Sequence, residues 1–260
     1  MMRLGDCNDL PRPLATYLEA LVSVLETHLG ARLRAVCVYG SVATGSFVPG
    51  ASDVDVVAVT ERSPSRAERL SLAERLSHDS LPCPARKLEF VLYAAGAARD
   101  PAGADSFDMN LNTGAGMEDD VSLDPATQPR HWFVIDRAIC RDLGCSLLGP
   151  PPGEVFAPVP EGALLDALLR SLRWYAEHEP SDANTALAAC RAWRFAVERR
   201  WAPKDEAASW AAERYSDPEL IRIAIRARSD GLPASLDRDR VRELLEHVRS
   251  VVDAGSATST

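Results

Sequence analysis

Residues 36–60 read VCVYGSVATGSFVPGASDVDVVAVT, and the fold prediction starts from these residues. Apolar, β-branched runs at its two ends predict buried strands, separated by a segment rich in glycine and serine. The second run carries Asp53 and Asp55 one residue apart. Because successive side chains of a strand point to opposite faces, both carboxylates lie on one face while Val54 and Val56 pack on the other. Two like charges this close repel unless a cation lies between them, and Mg²⁺ prefers such hard oxygen ligands.

Upstream of the aspartates, Gly40 and Ser41 stand where the first strand ends and a short helix is predicted to begin. Backbone N–H groups and the helix dipole at such a junction favour phosphate oxygens, and glycine lets a phosphate approach closely. The eleven residues between Ser41 and Asp53 suffice for a short helix and a turn back to the sheet. We take Gly40 and Ser41 as candidate nucleotide-binding residues, with Ser52 beside the aspartates as a third.

A third carboxylate, Glu89, lies in the apolar run KLEFVLY (87–93). If this run forms a strand beside the second one, the three acids Asp53, Asp55 and Glu89 converge. Such a triad supports chemistry in which magnesium neutralises a triphosphate and a carboxylate removes the proton from an attacking hydroxyl. The three acids are therefore the candidate metal ligands and catalytic residues.

Each of these features alone has an ordinary structural explanation. A DxD pair in a strand is more often a solvated edge, a Gly-Ser pair at a strand end is usually a turn, and a single strand glutamate commonly faces solvent. Their joint order along one chain is much rarer. It favours a catalytic site over three separate coincidences.

The composition bounds the class of protein. With 260 residues and 46% hydrophobic content, the chain can bury one large core or two smaller ones. A net charge of -9 argues against a nucleic-acid partner, since binding a phosphate backbone requires clustered lysine and arginine. No apolar run approaches the roughly 18 residues of a membrane span, and no signal-peptide pattern is present. We expect a cytoplasmic protein without a membrane partner, and a monomer.

The six cysteines occur without CxxC spacing or neighbouring histidines. We therefore expect reduced thiols in packing roles rather than a zinc site or a disulfide framework. These residues are Cys7, Cys37, Cys83, Cys140, Cys145 and Cys190.

The order of predicted elements indicates an α+β protein with two domains, over 1–150 and 151–260. The first is predicted to contain a mixed sheet, and the second, in which prolines separate helix-forming runs, a helical bundle. In the first domain we expect helices over 14–29, 63–78 and 131–144, strands over 33–40, 52–60, 87–93 and 145–149, and a mostly irregular stretch over 94–130 with a short strand at MNLN. The PPPG at 150–153 predicts a linker, and the second domain is expected to hold helices near 161–178, 183–200, 204–214, 217–229 and 236–253.

The stretch YGSVATGSFVPGASDVDVV, followed by a later LEF, resembles the nucleotidyltransferase superfamily, whose fold is shared by DNA polymerase β and the kanamycin nucleotidyltransferases. Three later segments are similar to the aminoglycoside (3'')(9) adenylyltransferases, which modify streptomycin and spectinomycin. They are LLGPPPGEVFAPVP (147–160), RAW (191–193) and APKDEAASWAAERY (202–215). The resemblance implies a nucleotidyltransferase domain over 1–150.

In that family the matching acids bind magnesium, which implies two Mg²⁺ ions at Asp53, Asp55 and Glu89 and a role for Glu89 as the base. The resemblance also places Arg191 and Lys204 of the helical domain on the phosphates of the co-substrate ATP. It implies an active site between the two domains.

The resemblance further maps acceptor contacts onto Trp174, Glu179 and Asp182, with glutamate at 179 where the family has aspartate. A tryptophan that the family supplies from the loop after the third strand has no counterpart in SFDMNLNTGAGMEDD (106–120). The acceptor implied is a cationic amino sugar or aminocyclitol.

These observations predict a magnesium-dependent enzyme that transfers AMP from ATP to a hydroxyl of an aminoglycoside or aminocyclitol and releases pyrophosphate. Two alternatives stay open: a nucleotidyltransferase that modifies a protein side chain, and a non-catalytic nucleotide-binding regulatory module. The complete set of acids disfavours the inert module. The helical half with Arg191 and Lys204 disfavours the modifier of proteins.

Overall fold

A computed structural model of the chain describes residues 10–101, 103, 106–231 and 234–257. The chain divides into two compact units, Met1–Val159 and Pro160–Thr260. In the described residues no helix is both long and apolar enough to cross a membrane.

The first unit is built on a six-stranded mixed sheet in the order β5-β4-β3-β2-β1-β6. Its strands are β1 Leu33–Tyr39, β2 Val54–Thr60, β3 Leu88–Ala94, β4 Met109–Thr113, β5 Asp120–Ser122 and β6 Cys145–Leu148. The neighbours β2 and β3 run parallel, and the other neighbouring pairs are antiparallel. This mixed sheet, together with a second unit made of helices, confirms the predicted α+β class.

The helices of the first unit are α1 Arg12–Leu29, α2 Gly40–Ala43, α3 Arg66–Leu76, α4 Ala95–Arg99, α5 Arg130–Leu143 and α6 Pro152–Val155. The leucines of α1 recur at three- and four-residue steps and are buried, as its amphipathic pattern predicts. Helix α3 begins with a capping box in which Ser65 and Glu68 exchange side-chain and backbone hydrogen bonds.

Helices α1 and α3 contribute to one large apolar cluster with the sheet. Val54, Val56 and Ala58 of β2 belong to this cluster, and so do Leu88 and Phe90 of β3. Because strand side chains alternate, the residues between them point to the opposite face. The apolar pattern of β2 and β3 therefore fixes which face carries their acidic residues.

The stretch 94–130 is more regular than predicted. It contains α4, β4 and β5, and the predicted strand at MNLN is β4. Arg137 of α5 is fully buried and donates hydrogen bonds to the carbonyls of Ala97 and Asp100, which fixes the end of α4. The PPPG segment at 150–153 does not stay extended, because α6 begins at Pro152 within the first unit.

Four of the cysteines, Cys37, Cys83, Cys140 and Cys190, are free and buried, as packing thiols should be. The expectation of reduced thiols is wrong for Cys145, which is disulfide-bonded. Cys7 lies outside the described residues.

The second unit consists of α7 Glu161–His178, α8 Ala183–Glu198, α9 Lys204–Ala212, α10 Pro218–Ser229 and α11 Arg238–Ala257. Helix α8 is the central one, since it contacts the other four. Its alanines at 183, 186, 189, 192 and 196 are buried, and small side chains let neighbouring helices approach closely. The five helices begin and end close to the predicted positions because proline and capping residues mark their starts.

Candidate active site

A row of polar side chains crosses the sheet of the first unit. Tyr39 of β1 is the register partner of Asp55, Asp55 is the partner of Glu89, and Glu89 is the partner of Asn112. Register partners point to the same face of a sheet, which here is the face opposite the α1–α3 cluster. Neighbouring strands lie about 4.8 Å apart. The fold thus brings Asp55 and Glu89 side by side, as the sequence predicted for adjacent strands.

Asp53 immediately precedes β2, and alternation along the chain predicts that it shares the face of Asp55. Its carboxylate accepts two hydrogen bonds from the guanidinium of Arg86, at 2.8 Å from Nε and 2.6 Å from Nη2. The Asp53 side chain is 15% exposed, whereas that of Arg86 is 60% exposed. Asp53 is therefore engaged by a cation that the sequence analysis did not identify.

Glu89 is engaged in a similar way by Lys87, two residues earlier on the same face. The Lys87 Nζ lies 2.5 Å from Oε1 of Glu89 and 3.4 Å from Oδ1 of Asn112. Burial by itself lowers the pKa of Lys87, but the negative charges of Glu89 and Asp53 and the hydrogen bond to Glu89 raise it above its ordinary value. Lys87 is therefore a firmly charged ammonium within the acidic face.

Gly40 connects β1 to α2 and lies directly against Asp55. Its φ of +63° lies in the left-handed region, and a Cβ built on it would overlap Oδ2 of Asp55. Only glycine fits here without moving that carboxylate. Helix α2 begins at this residue, so the strand–helix junction predicted for phosphate binding is next to Asp55.

The two serines proposed for the nucleotide have different surroundings. Ser41 lies in α2 and is partly exposed. Ser52 is buried, and its Oγ accepts a hydrogen bond of 3.0 Å from the backbone N–H of Val48, which closes the turn before Asp53. The structure thus gives Ser52 a role in shaping the loop, and its nucleotide contact stays a prediction.

One more carboxylate approaches the row from α5. Burial, followed by the charges of Asp136, Asp55 and Glu89, raises the pKa of Tyr39 well above its ordinary value. Tyr39 is therefore a neutral hydroxyl surrounded by acids. The sequence analysis missed Asp136, although a carboxylate inside the apolar run WFVIDRAI is a visible signal.

The acids of this face fit a divalent cation in chemistry and backbone placement. Carboxylate oxygens are hard ligands of the kind that Mg²⁺ prefers. As the side chains stand, no three His, Cys, Asp or Glu residues of the described chain are grouped to hold a metal. Asp53 and Glu89 instead pair with Arg86 and Lys87. Binding of the ion by Asp53, Asp55 and Glu89 stays a prediction, and it requires those two cations to withdraw.

In the second unit, Lys204 is the first residue of α9, and its ammonium lies beside the start of α8. Its Nζ donates a 2.6 Å hydrogen bond to Oδ1 of Asn184. The backbone N–H of Asn184 in turn donates to Asp182, whose carboxylate caps α8. Arg191 lies two turns further along α8 and is partly exposed. Asn184, which the sequence analysis did not select, therefore positions the candidate phosphate-binding lysine.

The three candidate acceptor residues lie around the turn between α7 and α8. Trp174 is partly exposed and stacks on His178, with ring centroids 4.6 Å apart. Glu179 is the C-cap residue that follows α7, and its carbonyl accepts a hydrogen bond from the hydroxyl of Thr185. Asp182 caps α8 with one carboxylate oxygen. The turn brings the three residues into one region, and their contact with an acceptor stays a prediction.

Two family models match separate parts of the chain. The family model for the aminoglycoside adenylyltransferase C-terminal domain matches residues 154–254, and that for a nucleotidyltransferase domain matches residues 18–97. The chain is also similar in fold to the crystal structure of spectinomycin adenyltransferase AAD(9) from Enterococcus faecialis with ATP and spectinomycin. That likeness has a TM-score of 0.66 at 15% identity, over 92% of this chain and 99% of the other, and it shows the fold alone.

Two curated relatives are similar over almost their whole length. The aminoglycoside (3'') (9) adenylyltransferase of Klebsiella pneumoniae is 33% identical, and that of Escherichia coli is 30% identical. Each comparison covers 92% of this chain and 95% of the relative. The chain therefore belongs to the aminoglycoside (3'')(9) adenylyltransferase family and is a nucleotidyltransferase.

Proposed function

We propose that the protein transfers AMP from ATP to a hydroxyl group of an aminoglycoside or aminocyclitol of the streptomycin or spectinomycin type, and releases pyrophosphate. The observation that carries the proposal is the register of the sheet, which pairs Asp55 with Glu89 beside the strand–helix junction at Gly40. Family membership supports the adenylyl transfer. The choice of ATP, of magnesium and of this acceptor type goes beyond that membership.

In the proposed reaction Glu89 accepts the proton of the acceptor hydroxyl. The freed oxygen attacks the α-phosphorus of ATP, and the bond from that phosphorus to the bridging oxygen of the leaving pyrophosphate breaks. Asp53, Asp55 and Glu89 would hold a divalent cation, which would neutralise the charge of the triphosphate. Glu89 suits the role of base because its side chain is 31% exposed and so accessible to a second substrate.

Arg191 and Lys204 are the residues that we propose for the phosphates of ATP. A nucleoside triphosphate carries about four negative charges, and a chain with a net charge of -9 must bring cations to it from specific positions. The hydrogen bond from Lys204 to Asn184 holds the ammonium in one place before the nucleotide arrives. We expect this pre-positioning to favour the developing charge on pyrophosphate.

The proposed acceptor is polycationic, which agrees with the residues at the α7–α8 turn. Trp174 offers an aromatic face to a sugar ring or an ammonium group, and Glu179 and Asp182 offer carboxylates. Asp182 uses one oxygen to cap α8, so its second oxygen is the one proposed for the acceptor. Because no tryptophan follows β3 in this chain before Trp132, the acceptor contacts on that side must come from other residues.

The proposal is tested by incubating the purified protein with ATP, Mg²⁺ and a panel of acceptors that includes streptomycin and spectinomycin. Mass spectrometry should show one acceptor carrying an added adenylyl group, with an equal amount of pyrophosphate released. The Asp53→Asn variant serves as the control and should give no product. Modification of a co-incubated protein instead would favour the alternative of a protein-modifying enzyme, and ATP binding without any product would contradict both.

A further inference from the structure

The dipeptide Arg86-Lys87 places one cation on each of two carboxylates of the candidate active site. Arg86 binds Asp53 through two hydrogen bonds, and the Lys87 ammonium lies 2.5 Å from Glu89. Lys87 also reaches Asn112 in the next strand, so its ammonium lies within the polar row itself. Neither Arg86 nor Lys87 was predicted from the sequence to take part in the site.

The choice of lysine at this position is itself informative. The chain has 29 strongly basic residues, and only Lys87 and Lys204 among them are lysines. Lys87 lies in the row of acids of the first unit, and Lys204 is the lysine proposed for the phosphates of ATP. Arginine binds carboxylates through a rigid two-pronged fork, whereas lysine is a compact point charge that exchanges partners readily. A compact ammonium therefore stands where a divalent cation is expected to bind Glu89.

We propose that Lys87 is an internal counter-ion that holds Glu89 in the ligand-free enzyme and must withdraw when a divalent cation binds. The inference rests on the proposed function, because it assumes that Glu89 is a metal ligand. An ammonium and a divalent ion compete for the same carboxylate oxygens. The metal alone should therefore bind weakly, and the metal with ATP should bind more tightly, because the triphosphate offers the displaced ammonium a new anionic partner.

The charges on this face determine whether removal of the Lys87 ammonium strengthens or weakens the binding of a divalent ion. Asp53, Asp55 and Glu89 repel one another, and the ammonium of Lys87 reduces that repulsion. Without the ammonium, the face becomes more negative and one competitor for Glu89 disappears. The Lys87 side chain is only 22% exposed, so its ion pair with Glu89 is weakly screened by solvent. We therefore expect removal of the ammonium to tighten the binding of a divalent ion by about three- to tenfold.

The test uses Mn²⁺ as the probe, with its binding to the full-length protein followed by electron paramagnetic resonance. Lys87→Gln should bind Mn²⁺ about three- to tenfold more tightly than the wild type without nucleotide. Addition of a non-hydrolysable ATP analogue should then increase the Mn²⁺ affinity of Lys87→Gln by a smaller factor than it increases the Mn²⁺ affinity of the wild type. Lys87→Arg keeps the positive charge and should bind Mn²⁺ no more tightly than the wild type. The matched control is Arg34→Gln, which removes an exposed cation paired with Glu61 at the start of β1 and should change nothing.

Equal or weaker binding of Mn²⁺ by Lys87→Gln, in protein whose circular dichroism matches the wild type, would overturn the inference. Lys87→Met gives a second comparison with the charge removed. If the wild type transfers AMP and binds Mn²⁺ but the variants bind it equally well, the inference alone fails. If the wild type binds no Mn²⁺ even with the nucleotide analogue, the proposed metal site fails as well.

Discussion

Replacing Asp55 by asparagine should reduce kcat/KM for AMP transfer by at least about a thousandfold, because several kcal/mol of charge stabilisation depend on this carboxylate. Asp55 lies in the middle of the polar row, between Tyr39 and Glu89. Asparagine has nearly the same shape but lacks the negative charge that holds a divalent cation. The loss should therefore appear in catalysis and not in folding, and it is measured as the initial rate of pyrophosphate release.

Asp142→Asn is the control for this variant. It removes a carboxylate from α5 that is 46% exposed and pairs with Arg141. Its rate should match that of the wild type, and both variants should unfold at the wild-type temperature or close to it. Retention of more than about a tenth of the wild-type rate by Asp55→Asn would contradict the role given to this residue.

The second large effect is expected for Gly40→Ala, which should lower kcat/KM by about a hundredfold. Gly40 has a φ of +63°, and an added Cβ would overlap Oδ2 of Asp55. The backbone conformation alone costs about 1 kcal/mol for a residue with a Cβ. The added Cβ also displaces the Asp55 carboxylate. A shift of about 1 Å in the position of a catalytic group lowers the rate on the order of a hundredfold.

Gly45→Ala separates the two contributions. Gly45 has a similar φ of +69°, but a Cβ there has no other atom within 4 Å. Both alanine variants should lose a similar amount of stability from the backbone, whereas only Gly40→Ala should lose most of its activity. Steady-state kinetics and urea unfolding measure the two quantities. Equal losses of activity in both variants would show that Gly40 acts through backbone strain and not through Asp55.

The fold was predictable wherever local sequence dominates structure. The β-branched runs of β1, β2 and β3 and the leucine pattern of α1 lie close to their predicted positions. Prolines and capping residues marked the starts of the helices in the second unit. The short elements α4, β5 and α6 were missed, because segments of three to five residues acquire their structure from their neighbours and not from their own periodicity.

The candidate site likewise has features that local sequence predicts and features that depend on packing. The sequence identified Asp55 and Glu89 as acids of adjacent strands, because alternation and order along the chain determine their faces. It did not identify the pairing of Arg86 with Asp53 or of Lys87 with Glu89, because both pairs depend on how the side chains are positioned. Asp136 was also missed, since only the packing of α5 beside β1 brings it to Tyr39.

In the proposed enzyme, Asp53, Asp55 and Glu89 gather around divalent cations beneath a triphosphate. A crystal structure with Mn²⁺ and a non-hydrolysable ATP analogue tests it most directly, because the anomalous signal locates the metal. We predict Mn²⁺ in contact with the carboxylates of all three acids, with Arg86 and Lys87 no longer paired to them. Manganese bound elsewhere, or a bound nucleotide with both ion pairs still intact, would show that these acids do not form the metal site.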